Sequence, residues 1–124
     1  MEIEDVMKKP IVTSKDISLY DVAKLMTKKD IKYMIFVSDD KAMGIITSED
    51  LVKHFGENVM LSSVMSKKII SIKKSEKIQT AIDLMRDKKI NVLPVNDDSG
   101  KLIGVVHSEN ILHEACDNED FLVD

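Results

Sequence analysis

Cysteine is almost missing from this chain: Cys116 is the only one. An intrachain disulfide is excluded, and a reducing, cytoplasmic setting is the expectation. Tryptophan is absent and aromatics total 4%, too few to build a stacking platform for single-stranded nucleic acid. Of 18 basic residues only Arg86 is an arginine, so bidentate guanidinium contacts to phosphate or guanine are scarce. Acids outnumber bases by 22 to 18, the opposite of a duplex-binding surface. No apolar run approaches the 18 residues of a membrane span. The opening Met1-Glu2-Ile3-Glu4-Asp5 carries acids where a signal peptide carries bases. The four glycines form no phosphate-cradling loop, and no Ser-His-Asp or Cys-His grouping comes with a supporting motif. The expectation is a non-enzyme with no membrane and no nucleic-acid partner. His107, His113 and Cys116 fall short of the three or four converging ligands a metal needs, so no metal is expected. Cys116 reads as a small apolar residue, dispensable for folding, and the eight methionines read as core.

What is present is a globular composition, 44% hydrophobic and 32% charged, and a repeat. Val6-Met7 returns as Val64-Met65, 58 positions on. Ile11-Val12-Thr13 matches Ile69-Ile70-Ser71 at the same spacing. Leu25-Met26 matches Leu84-Met85 at 59, and the run from Gly44 to Leu51 matches the run from Gly104 to Ile111 at 60. The spacing grows by one at loops, where insertions cost little. Three blocks in the same order define two copies, 1–58 and 59–124.

Each copy reads β-α-β-β-α. In the first, Ile11-Val12-Thr13 predicts a strand, and Leu19, Val22, Ala23 and Met26 mark one helix face. Ile78, Ala81, Ile82 and Met85 do the same in the second. Caps are expected near Asp16 or Ser18 and at Ser75. The apolar runs Tyr33–Val37 and Asn91–Val95 predict buried central strands, each followed by a turn, a glycine-containing strand and a closing helix from Ser48 or Ser108. A copy of about 60 residues buries too little surface to be comfortable alone. Two copies packed sheet to sheet in a mixed α/β (α+β) fold would solve this.

These residues resemble the cystathionine-β-synthase (CBS) domain family, whose modules come as tandem pairs. The resemblance rests on the opening Val-Met, the Leu-Met helix, Ile90-Asn91-Val92-Leu93-Pro94-Val95, and the glycine–strand–Thr/Ser-x-x-Asp segment. It implies two copies about a pseudo-twofold axis, with two clefts for adenosine-containing ligands: AMP, ADP, ATP or S-adenosylmethionine. It implies a regulatory ligand rather than a catalytic cofactor. In one cleft Asp50 would take the ribose and Thr47 a phosphate or ribose oxygen, beside Ile45, with the adenine end from Ile70, Ser71, Ile90, Asn91 and Val92. The other would use Val105, His107 and Asn110 with Thr13, Ser14, Lys32 and Tyr33.

At a strand-to-helix junction a carboxylate can accept both ribose hydroxyls. Thr47 and Asp50 also fit a plain helix cap. His107 and Asn110 depart from the pattern, and an amide accepts without charge. Tyr33 is either a stacking ring or a strand residue with its hydroxyl at the surface. Many family members carry an arginine where Val92 stands, which leaves the first cleft poor in phosphate-binding charge. The resulting expectation is a regulatory module that signals to a protein partner or within a homodimer. The alternative is an interaction or structural module with degenerate clefts. The dimer is expected through Leu51, Val52 and Phe55 and through Ile111, Leu112 and Ala115. The acidic stretch from Asp117 to Asp124, holding Phe121-Leu122-Val123, reads as a frayed tail or a short helix on a partner subunit.

Overall fold

The structure, a computed structural model, describes residues 1–111. Expectations placed on Leu112, His113, Ala115, Cys116 and the acidic stretch from Asp117 lie outside the described residues.

The elements run α1 (Ile3–Val6), β1 (Val12–Thr13), α2 (Leu19–Lys29), β2 (Tyr33–Ser38), β3 (Lys41–Thr47), α3 (Ser48–Lys53), α4 (Leu61–Val64), β4 (Ile72–Lys73), α5 (Ile78–Lys88), β5 (Val92–Asn96) and β6 (Leu102–His107). Residues 108–111 are again helical. The expected β-α-β-β-α order is present in both copies, each preceded by a one-turn helix that periodicity did not reveal.

Ser18 caps α2 by accepting the Asp21 N–H at 3.1 Å. The cap of α5 is Lys77, which has no side-chain cap bond, rather than Ser75: the chain turns helical two residues later than the polar residue suggested. Both long helices stop at a left-handed residue, Asp30 with φ 53° and Lys89 with φ 56°, after lysines that suit the negative end of the helix dipole.

Each copy supplies a three-stranded sheet, in the orders β1-β2-β3 and β4-β5-β6. The first pairing of each sheet is parallel, bridged by the long helix, and the second is an antiparallel hairpin. Asp39 and Asp40, with φ 52° and 64°, form a two-residue turn whose twist matches its strands. The other hairpin turns through Asp97, whose Oδ1 accepts the N–H groups of Ser99 and Lys101 and the Ser99 hydroxyl. The ladders correct one part of the repeat alignment. Phe36 lies opposite Gly44 and Val95 opposite Gly104, while Thr13 pairs with Phe36 and Ile72 with Val95. Thr13 therefore corresponds to Ile72, and the extra residue of the second copy falls before β4. Three consecutive β-branched or small residues satisfied the pattern in either frame; strand pairing selects one.

The chain divides into two compact units. A contiguous unit holds Ile11–Ile69, and a split unit joins Met1–Pro10 to the residues from Ile70 onward. These limits differ from those of the sequence copies, because each copy's leading segment is built into the other copy's unit. In the split unit Ile3 N–H donates to the Glu76 carbonyl at 2.9 Å, and Lys8 pairs with Val105. In the contiguous unit Leu61 N–H donates to the Ile17 carbonyl at 2.7 Å, and Ser66 pairs with Ile45. The cores follow the same division. Leu19, Val22, Met26, Met34, Ile46 and Leu61 form one. Ile3, Val6, Ile72, Ala81, Met85, Leu93, Val95, Val106 and Ile111 form the other. Full burial of each large aliphatic side chain contributes about 1.5–3 kcal/mol, so the lead residues Ile3, Val6 and Leu61 are substantial parts of cores built mainly by the other copy.

Candidate functional site

The Thr47–Asp50 motif stands where β3 passes into α3. Thr47 is extended (φ −119°, ψ 169°), and it forms a capping box with Asp50 in the third helical position. Asp50 Oδ2 accepts the Thr47 N–H at 2.9 Å and the Thr47 hydroxyl at 3.2 Å. Its Oδ1 has no partner among the described residues. The cap and the acceptor roles thus coexist: the cap fixes the carboxylate and leaves one oxygen open. The ladder puts Tyr33 opposite Thr47, and the Ser48 N–H donates to the Lys32 carbonyl at 3.0 Å. Lys32, Tyr33, Ile45, Thr47 and Asp50 therefore meet at one end of the contiguous unit's sheet.

Tyr33 is buried, and its Oη accepts the Ile11 N–H at 3.0 Å. Burial pushes the phenol above its usual pKa of 10.0, and the Ile11 bond opposes this in part. Its hydroxyl is a fastener between strand and loop, not a surface group as the plain strand reading had it. Thr13 Oγ1 is engaged with the backbone of Lys15, and Ser14 is exposed.

The split unit repeats the backbone arrangement with different chemistry. Val92 lies opposite His107, and the Ser108 N–H donates to the Asn91 carbonyl at 2.8 Å. His107 Nδ1 accepts the Glu109 N–H at 3.2 Å, a bond that requires the ring proton on Nε2. No carboxylate stands at the Asp50 position, where Asn110 is half-buried. Val92 and Val105 are buried, and Ile70 and Ile90 pack against this unit's core.

Ser71 Oγ accepts the Asn96 side-chain N–H at 3.1 Å, and Asn96 Oδ1 is buried with no partner among the described residues. Asn96 was absent from the expected set. Its signal was available: an amide where the first copy has Val37. Each expected cleft set takes residues from both units. Among the described residues no three His, Cys, Asp or Glu side chains are placed to hold a metal. No helix of these residues is long and apolar enough to cross a membrane.

Residues 3–57 and 61–117 each match the profile of the CBS domain. The chain belongs to the CBS domain family. Among CBS relatives, an uncharacterized protein of Methanocaldococcus jannaschii, MJ0450, is 33% identical over 116 residues, which cover 86% of this chain and 62% of that protein. The homoserine O-acetyltransferase of Methanohalobium evestigatum is 35% identical over 112 residues, 88% of this chain and 23% of the enzyme. The chain thus spans less than two thirds of these relatives, and the match to the enzyme covers only a part of it.

The CBS domain pair of protein MJ0100, crystallised with 5′-methylthioadenosine and S-adenosyl-L-methionine, superposes with a TM-score of 0.87 at 28% identity. The match covers 94% of this chain and 97% of that one. The two mixed α/β sheets described above are therefore those of a tandem CBS pair. Within that pair the Thr/Asp junction is complete in the first CBS copy and altered in the second.

Proposed function

We propose that this CBS pair is a regulatory module that binds an adenosine-containing small molecule, with Asp50 as its ribose acceptor. The observation that carries this reading is the clamped Asp50 carboxylate, which holds one oxygen to Thr47 and leaves the other open. The likeness to a CBS pair crystallised with 5′-methylthioadenosine and S-adenosyl-L-methionine supports it. Thr47, Ile45, Ile70, Ser71, Ile90, Asn91 and Val92 complete the first proposed site. The second draws on Thr13, Ser14, Lys32, Tyr33, Val105, His107 and Asn110. Binding would then act on a protein partner, or within a homodimer, by conformational change.

The chemistry favours a ligand with little negative charge. Val92 is apolar and buried. The single arginine, Arg86, is occupied by Asp83 and Asp87 at 3.3 and 3.1 Å. A polyphosphate would find no guanidinium, so S-adenosylmethionine and 5′-methylthioadenosine should bind more tightly than ATP.

The test is calorimetric titration with these three ligands. Hydrogen bonds to a charged group contribute about 1.5–3 kcal/mol against about 0.5–1.5 for neutral ones, so loss of the Asp50 charge should weaken binding about tenfold. Asp50→Asn is the informative variant, because the amide oxygen still accepts the Thr47 N–H and keeps the cap. Its melting temperature should hold while affinity falls; Asn110→Ala should lose less. His107 and Asn110 favour a second reading, an interaction module with degenerate clefts. That reading takes over if wild type shows no saturable binding at millimolar ligand.

A further inference from the structure

The leading segment runs beside β6 and carries a lysine that neither expected cleft set includes. Lys8 and Val105 exchange both backbone hydrogen bonds: the Lys8 N–H donates to the Val105 carbonyl at 2.8 Å, and the Val105 N–H donates to the Lys8 carbonyl at 2.9 Å. Residues opposed in this way project their side chains from the same face of a sheet. That face is not the one on the core. Val106 lies in the split core and Met7 packs against it, so alternation turns Val105, His107 and Lys8 the other way. Lys8 and His107 are thus diagonal neighbours, about 7–8 Å apart at the backbone. Lys8 is exposed, and among the described residues no acidic side chain pairs with its ammonium. The bond that His107 Nδ1 accepts from the Glu109 N–H leaves the Nε2–H as a second donor on this face.

The contiguous unit makes the same backbone exchange between Ser66 and Ile45, at 2.8 and 3.0 Å. The positions that hold Ser66, Thr47 and Asp50 in that unit hold Lys8, His107 and Asn110 in the split unit. Glu49 and Glu109 are common to both motifs. One positive charge is gained at Lys8 and one negative charge is lost at Asn110. A hydroxyl engaged by Asp50 is replaced by a ring N–H. All three exchanges favour an anion. We propose that Lys8 is a specificity-determining residue of the second site, where with His107 it takes the phosphate of a nucleoside monophosphate. The inference rests on the adenosine-binding reading of the pair, and it makes His107 and Asn110 selective rather than degenerate. The shortage of positive charge around Val92 belongs to the first site, which keeps its preference for ligands of little charge. One ammonium and one imidazole N–H match a single phosphate monoester through charge-assisted bonds, and Asn110 does not repel it as a carboxylate would.

The test is calorimetric titration of the full chain with AMP and with adenosine, in an Asp50→Asn background that weakens the first site. AMP should bind the remaining site about tenfold more tightly than adenosine. Lys8→Gln keeps the backbone pair and the length of the side chain but removes the charge. It should weaken AMP about tenfold and leave adenosine within about twofold. Lys9→Gln, one residue on and so on the opposite face, should leave both within about twofold. Raising salt from about 0.1 to about 1 M shortens the screening length from about 10 to about 3 Å; it should weaken AMP binding when Lys8 is present and do so much less in Lys8→Gln. Circular dichroism melts check that each variant folds. Three results overturn the proposal while the adenosine reading stands: adenosine bound as tightly as AMP; a preference for AMP that survives Lys8→Gln; or one lost equally in Lys9→Gln, which would mean general surface charge. No saturable binding of either ligand to wild type overturns both.

Discussion

Asp16 ties together stretches of chain 46 residues apart. Its carboxylate accepts the Ser62 N–H at 2.9 Å and also the Ser62 hydroxyl, and so caps α4 from across the sequence. These two bonds, the hydroxyl first, hold the Asp16 pKa below its ordinary 3.8 against a small opposing desolvation. A carboxyl group whose pKa is depressed by folding adds stability that is complete above its unfolded value and is lost as pH falls through the folded one. Asp16→Asn should therefore melt below wild type by a constant margin from neutral pH down to about 4, and the margin should shrink as the solution is taken further into acid. Thermal melts of both proteins from pH 7 to pH 2 read this directly; a margin unchanged at pH 2 would mean the ionised carboxylate is not the cause. Asp16 was legible only as a possible cap of α2. Its partner lies in the other copy, and no local pattern pairs them. The Thr47 and Asp50 motif was legible because its geometry is local, three residues on one turn. Tyr33 was legible as a strand residue but not as the acceptor of the Ile11 N–H, which the parallel pairing of β1 with β2 brings near.

Strand β3 and its counterpart β6 each contain a glycine for the sake of a methionine. A Cβ on Gly44 would collide with the sulfur of Met65 and lie 2.8 Å from its Cγ and Cε; on Gly104 it would meet the sulfur of Met7 and lie 3.0 Å from its Cγ. The leading segment lays its methionine across the strand where a side chain is missing. Gly44→Ala should then cost about 1–3 kcal/mol through overpacking. Joined with Met65→Ala it should cost less than the sum of the two single changes, by at least about 0.5 kcal/mol. Urea denaturation of the four proteins in this cycle gives the coupling, and strict additivity would argue against the contact. Both the Val-Met pair and the glycine were visible as repeats. That they are partners was not, because periodicity ranks positions within a copy and is silent on which copy completes which. The helices and strands were legible throughout, since their apolar spacing is a local property. The one-turn α1 and α4 were not, since four residues carry too little periodicity.

For the whole molecule, the repeat correctly announced two like halves, while the units that pack are cut elsewhere. A fragment of residues 11–69 contains every residue of its core, whereas 1–58 lacks Val59, Leu61, Val64 and Met65. Leu61 is fully buried, and loss of a buried leucine side chain alone costs about 2–5 kcal/mol, much of a small domain's total of about 5–15 kcal/mol. Residues 11–69 should unfold cooperatively in urea, and residues 1–58 should show a shallow, uncooperative transition by circular dichroism. Equal cooperativity of the two would contradict the exchange of leading segments. The exchange also imposes an order in time. During synthesis the contiguous unit is complete once Ile69 has been made, but Met1–Pro10 must wait for Glu76 and Val105. At roughly 5–20 residues per second, Ile3, Val6 and Met7 stand unpartnered for several seconds after they are made. Glu2, Glu4, Asp5, Lys8 and Lys9 interleave charge through that waiting segment and keep it dissolved until its strands arrive.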